Sequence, residues 1–161
     1  MKTIVVGLGN PILGDDGVGW RAAEALRARP EAAGVEIDML ASGGLGLMER
    51  MVGYDRAIVI DALQTGSGPE GSLRVFPLEA LENSFAGHLG SAHESNLQTA
   101  LQVGLALGAH LPAQVTVIAV ETPHVYDFSA ELSPAAAAAV PAAVEAALQI
   151  LSEDGGQHDL T

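Results

Sequence analysis

The chain has 161 residues, which suits one domain of about 100 to 150 residues and would leave two separate cores each marginal. With 48% hydrophobic, 17% charged and only 4% aromatic residues, it is too apolar for a disordered chain and must build an aliphatic core. A formal net charge of −13, from 7 basic and 20 acidic residues, argues against nucleic acid or a membrane surface as partner, and the lack of cysteine excludes thiolate nucleophiles, cysteine-ligated zinc, iron–sulfur centres and disulfides.

In chain order, Thr3 to Val6 is a β-branched run that meets Gly7-Leu8-Gly9-Asn10-Pro11, the pattern of a buried strand ending in a tight turn. Its short apolar core falls far below a secretory or membrane-spanning length, so a cytoplasmic location is expected. From Gly17 to Arg29, Val18, Ala22, Ala25 and Leu26 recur at helical spacing until Pro30 stops the pattern. Val35 to Leu40 reads as a strand, and Leu45 to Met51 as a short helix after Gly43-Gly44. Arg56 to Ala62 reads as a third strand, whose continuous apolar run signals cover on both faces.

Leu73 to Phe76 follows a Gly-Ser-Gly-Pro link too short for a crossover helix, so it is expected as an antiparallel edge strand. A loop carrying His88, Gly90 and His93 leads to a helix expected from about Glu94 to Gly108, with Leu97, Leu101, Leu105 and Ala106 as its buried stripe. Gln114 to Val120 is the fifth strand. Ser133-Pro134 opens the last helix as N-cap and first helical residue, and Pro141 is expected to kink or divide it. The domain is expected over residues 1–152, with 153–161 a loose tail. Strands alternating with helices imply a three-layer α/β fold, a mostly parallel twisted sheet of about five strands with one antiparallel edge strand and helices on both faces.

In such sheets ligands sit beyond the carboxyl ends of the strands, where the strand order reverses. Asp16, Asp61 and His93 satisfy that criterion: a loop after the first strand, the end of the third strand's apolar run, and the approach to the long helix. Two carboxylates and an imidazole could hold a divalent cation while leaving positions open for water or substrate. Each also has a plainer reading. Asp15 and Asp16 precede a helix and could cap it, one capping while the other binds, and a lone histidine is more often structural than a ligand. Asp61 is harder to explain plainly, since a carboxylate after Ile58-Val59-Ile60 must find a partner or a metal.

Glu94 reads as a first-turn helix acid, His88 could exchange roles with His93, and Glu121 could line the cleft; His110, His124 and His158 carry no assignment. A dinucleotide site is rejected, because the third glycine of its pattern is replaced by Ile12 and the acids Asp15 and Asp16 would repel a pyrophosphate.

The run from Gly7 to Gly19, Gly-Leu-Gly-Asn-Pro-Ile-Leu-Gly-Asp-Asp-Gly-Val-Gly, resembles the opening signature of the hydrogenase maturation proteases, in which the second acid is a metal ligand. Val59-Ile60-Asp61-Ala62 and Ser91-Ala92-His93-Glu94 resemble that family's other two ligand segments, and Glu121-Thr122-Pro123 with Leu132-Ser133-Pro134 resembles its closing region. Ala41-Ser42-Gly43-Gly44 departs from the pattern where many relatives carry Asp.

The resemblance implies an endopeptidase that trims the C-terminal extension of a nickel-loaded nickel–iron hydrogenase large-subunit precursor. Asp16, Asp61 and His93 would engage nickel brought by the client, other divalent ions could occupy the same ligands, and the enzyme would act as a monomer. The same opening turn resembles that of peptidyl-tRNA hydrolases. That reading lacks the histidine expected soon after the turn, where Trp20 stands, and lacks a basic surface. A third reading is a chaperone that checks nickel loading without cutting.

Overall fold

The computed structural model describes residues 1–66, 68–81, 89, 96–123 and 127–157. Five strands, β1 (Thr3–Leu8), β2 (Glu36–Leu40), β3 (Arg56–Leu63), β4 (Leu73–Pro77) and β5 (Gln114–Glu121), form one sheet in the order β2-β1-β3-β5-β4. All neighbours are parallel except β4, which lies antiparallel to β5 at the edge, as the short Gly-Ser-Gly-Pro link predicts. Helices α1 (Val18–Arg27) and α4 (Pro134–Gln157) cover one face, and α2 (Gly44–Met51) and α3 (Leu97–Ala106) cover the other. The fold is therefore the three-layer α/β arrangement expected from the alternation of elements.

Strand alternation divides the core. Val5, Ile58, Ile60 and Ile118 pack with Ala22, Leu26, Ala143 and Ala147 on the α1/α4 side. Ile4, Val6, Leu8, Val59 and Leu63 pack with Leu47, Met51, Leu97 and Ala100 on the α2/α3 side. Every residue of β3 is buried, which is what a central parallel strand covered by helices requires.

Three expectations need correction. α3 begins at Leu97 rather than Glu94, because Asn96 is extended and its side chain accepts a 2.8 Å bond from the Thr99 amide, an N-cap that fixes the start. Its buried face is Leu97, Ala100 and Gly104, with Leu101 half-buried, while Leu105 is 59% exposed. A side chain at Gly104 would run into Met48 and Leu111, so the α2 contact forms where the residue is smallest and turns the larger leucines outward.

Of the two outcomes expected at Pro141, a kink or a division, the division does not occur: α4 is one continuous element. The proline and Ala137, whose carbonyl loses its helical partner, are both exposed, so water can replace the missing bond. The helix runs to Gln157, since extending an existing helix costs far less than starting one. By length and composition α4 could cross a membrane, yet Ala136, Ala139, Ala143, Val144 and Ala147 are buried against the rest of the chain.

Candidate functional site

The chain leaves β1 toward β2 on one side and, through α2, returns to β3 on the other, so the strand order reverses between β1 and β3. Side chains at the carboxyl ends of these strands border the crevice where such sheets take ligands. Glycines let the first turn of α1 enter this space. A side chain on Gly19 would meet the carbonyls of Leu8 and Ile60, and one on Gly7 would meet the carbonyl of Gly19, all well inside 3.0 Å. The glycine-rich opening therefore buys closeness between α1 and the two strand ends.

Asp16 lies in the 3-10 turn Gly14–Gly17 between β1 and α1, and this turn packs against β3. Its Oδ2 accepts a 2.9 Å bond from the Asn10 amide. Gly9 adopts a φ of 142°, and a side chain there would strike the Asp16 carbonyl, so the turn closes over β1 only because residue 9 is glycine.

Asp61 is fully buried, 0% exposed, one residue beyond Ile60, which sits opposite Gly7. Its position between Val59 and Leu63 assigns it to the α2/α3 face, opposite Ala119 of β5. A carboxylate held there is removed from bulk water, which strengthens its attraction for any cation or proton that reaches it.

The structure thus brings the turn bearing Asp16 against the strand bearing Asp61. His93, with Glu94, His88 and His124, lies outside the described residues, as does His158. In sequence His93 falls between Leu89 and Leu97, both fully buried in the cluster that contains Val59 and Leu63. Among the described residues no three His, Cys, Asp or Glu side chains converge as a metal site. His110 is remote: it pairs with Asp55 at 2.9 Å, just ahead of β3.

Asp15 and Asp16 divide their work, but Asp15 does not cap the helix that follows it. α1 has no side-chain cap. Instead Asp15 Oδ1 accepts from the Ser133 amide and Oδ2 from the Ser133 hydroxyl, both at 2.7 Å, across a separation of 118 residues. Ser133 Oγ in turn accepts from the Ala136 amide at 3.3 Å, the N-cap bond of α4 predicted from Ser133-Pro134. Asp15 therefore ties the turn next to Asp16 to the start of the last helix. No local spacing in the sequence signals that link.

Glu121 ends β5 and is buried, and its carboxylate faces the turn after β3. It accepts from the Thr65 amide at 3.0 Å, the Thr65 hydroxyl at 2.5 Å and the Gly66 amide at 2.8 Å. It shapes the loop beyond Asp61. A groove bounded by Arg56, Val75, Thr116 and Ile150 lies at the amino ends of β3 and β5, away from Asp61.

Comparison with known proteins identifies the family and agrees with the fold. Residues 20–150 match the family model described as hydrogenase maturation protease (HycI). The chain is 29% identical over 156 residues to the hydrogenase expression/formation protein HupD of Rhizobium leguminosarum bv. viciae, spanning 96% of this chain and 76% of that protein. It is 28% identical over 158 residues to the hydrogenase 2 maturation protease of Escherichia coli (strain K12), spanning 96% and 93% of the two chains. Among solved structures, the hydrogenase maturating endopeptidase HybD from E. coli superposes with a TM-score of 0.76 at 28% identity, over 96% of this chain and 94% of that one. The nickel–iron hydrogenase maturation protease HybD from Thermococcus kodakarensis gives 0.73 at 25% identity, over 93% and 99%.

Proposed function

The chain belongs to the hydrogenase maturation protease family, and from that premise we propose that it is an endopeptidase that removes the C-terminal extension of a nickel-loaded nickel–iron hydrogenase large-subunit precursor. The observation that carries the reading is the fully buried carboxylate of Asp61 at the end of β3, beside the turn that presents Asp16. Two oxygen donors at one switch-point crevice suit a divalent cation that arrives with part of its coordination already made, as nickel in a client protein would. His93, close in sequence to two leucines of the same cluster, supplies the imidazole.

In this reading Asp16, Asp61 and His93 grip the client's nickel and so make cleavage depend on correct loading. Nickel, once gripped, supplies Lewis acidity toward the scissile carbonyl or an attacking water. The remaining work belongs to the chain. One of the two carboxylates carries a proton between the attacking water and the leaving amine. The sheet and the α2/α3 layer keep Asp61 out of bulk water, so screening of its charge by solvent is weak. Asp15 and Ser133 hold the turn that aims Asp16.

The reading is tested by incubating the purified chain with nickel-loaded precursor and measuring intact masses. Loss of a short C-terminal peptide is the expected result. A stable complex with unchanged precursor mass would replace the protease with a non-cutting chaperone that checks loading. Hydrolysis of peptidyl-tRNA with no effect on the precursor would replace it with an esterase.

A further inference from the structure

Two large apolar side chains stand in water next to the Asp16 turn: Ile12 is 55% exposed and Phe128 is 87% exposed. Their segments are bound to each other. The Ser129 amide donates to the Ile12 carbonyl at 3.0 Å, the Gly14 amide donates to the Ser129 carbonyl at 2.8 Å, and Leu13 pairs with Ser129 as an isolated parallel bridge. The Asp15–Ser133 bonds anchor the same two segments a few residues further on. An aromatic ring left in water on a backbone this well tied loses little conformational freedom when something covers it, which favours binding.

The surroundings specify what could cover it. Phe128 lies between Asp127 and Glu131, both exposed, and Ile12 is followed by Asp15 and Asp16. Among the described residues, the cation beside them, Arg21, is already engaged by the Ala130 carbonyl and Glu24. The rim is an apolar spot in an acidic frame, on a chain whose net charge is −13.

We propose that Ile12 and Phe128 form a docking surface for the client polypeptide, receiving an apolar side chain of the precursor whose sequence neighbours are basic. The proposal rests on the reading of this chain as the precursor's protease. The rim adjoins the position where nickel would meet Asp16, since Ile12 and Asp16 share one loop and Ser129 is hydrogen-bonded to it. Burial of a phenylalanine ring and an isoleucine against an apolar side chain supplies affinity, and the flanking carboxylates supply orientation and salt dependence.

The test measures precursor binding and processing together. Nickel-loaded precursor is titrated against the immobilised chain by interferometry, and processing kinetics are run on the same preparations. Phe128→Ser and Ile12→Ser are each expected to weaken binding and raise KM about tenfold, with kcat held within about twofold. Added salt is expected to weaken wild-type binding. Leu107→Ser is the control: Leu107 is 82% exposed but follows α3 at the opposite end of the sheet, so binding and kinetics stay at wild type. Both rim side chains are mostly in water, so unchanged thermal unfolding of the variants is expected and excludes misfolding as the cause.

Wild-type affinity and KM in both rim variants would overturn the docking surface while the protease reading stands. Binding unaffected by salt would overturn the basic component. Precursor that binds but is never cut would overturn the protease reading, and the variants' affinities would still decide the surface. Precursor that neither binds nor is cut overturns both.

Discussion

Replacing Asp15 with alanine removes both acceptors that hold Ser133, its amide at 2.7 Å and its hydroxyl at 2.7 Å. Hydrogen bonds to a charged group are worth about 1.5–3 kcal/mol each when well buried. Asp15 is only half-buried, so water recovers part of the loss and about 1 kcal/mol per bond is the better figure. The expected cost is therefore about 2 kcal/mol, which lowers the melting temperature of a domain this size by about 4–8 °C. Asp15→Asn keeps one acceptor but loses the charge, so its expected cost is about half as large.

Asp16→Ala gives up the bond from the Asn10 amide, and it is expected to lose precursor cleavage. Thermal unfolding by circular dichroism, paired with a processing assay run well below the lowest melting temperature, separates the two acids. Asp15→Ala should keep measurable cleavage there and Asp16→Ala should not. If Asp15→Ala melted like wild type, or if Asp16→Ala kept cleavage, the division of labour argued for these neighbours would be wrong.

Glu121→Ala removes the acceptor of the Thr65 and Gly66 amides; Gly66 is exposed and Thr65 half-buried, so water recovers part of the loss and a fall of about 1–2 kcal/mol in unfolding free energy by urea titration is expected, whereas Glu121→Gln, which keeps an acceptor, should cost clearly less. Gly19→Ala forces a methyl group against the carbonyls of Leu8 and Ile60; overpacking of about 1–3 kcal/mol is expected, with a larger fractional loss of processing than of stability because the Asp16 turn is pushed off β3. Burial opposes ionisation of Asp38, but Arg50, bonded to it at 2.7 Å, outweighs that and holds the carboxyl below its ordinary value of 3.8. A group depressed in the folded state stabilises above its ordinary value and loses that contribution as pH falls through its folded value. The melting-temperature gap between wild type and Asp38→Asn is thus expected to be full near neutral pH and to close in acid.

Much of this architecture was legible because its signals are local. The Thr3–Val6 run, the unbroken apolar stretch in β3 and the short link before β4 each reflect forces acting within one element or its immediate connection. Asp61 stood out for the same reason: an ionisable group at the end of a strand buried along its length has few plain explanations. The misses lie where distant partners decide. The buried side of α3 depends on where Met48 and Leu111 approach, so periodicity selected Leu105 while the fold selected Gly104. The partner of Asp15 lies 118 residues away, and Glu121 faces a turn reached only by closing β5 onto β3, so neither role has a local pattern.

Asp16, Asp61 and His93 are proposed to act together on nickel carried by the client. Single-turnover processing of nickel-loaded and nickel-free precursor, followed by intact mass for wild type and for Asp16→Ala, Asp61→Ala and His93→Ala, tests this most directly. Cleavage only of the loaded precursor by the wild-type chain, with each variant slowed by several orders of magnitude though still folded, is the expected result. Equal cutting of nickel-free precursor, or wild-type rates in the three variants, would contradict it.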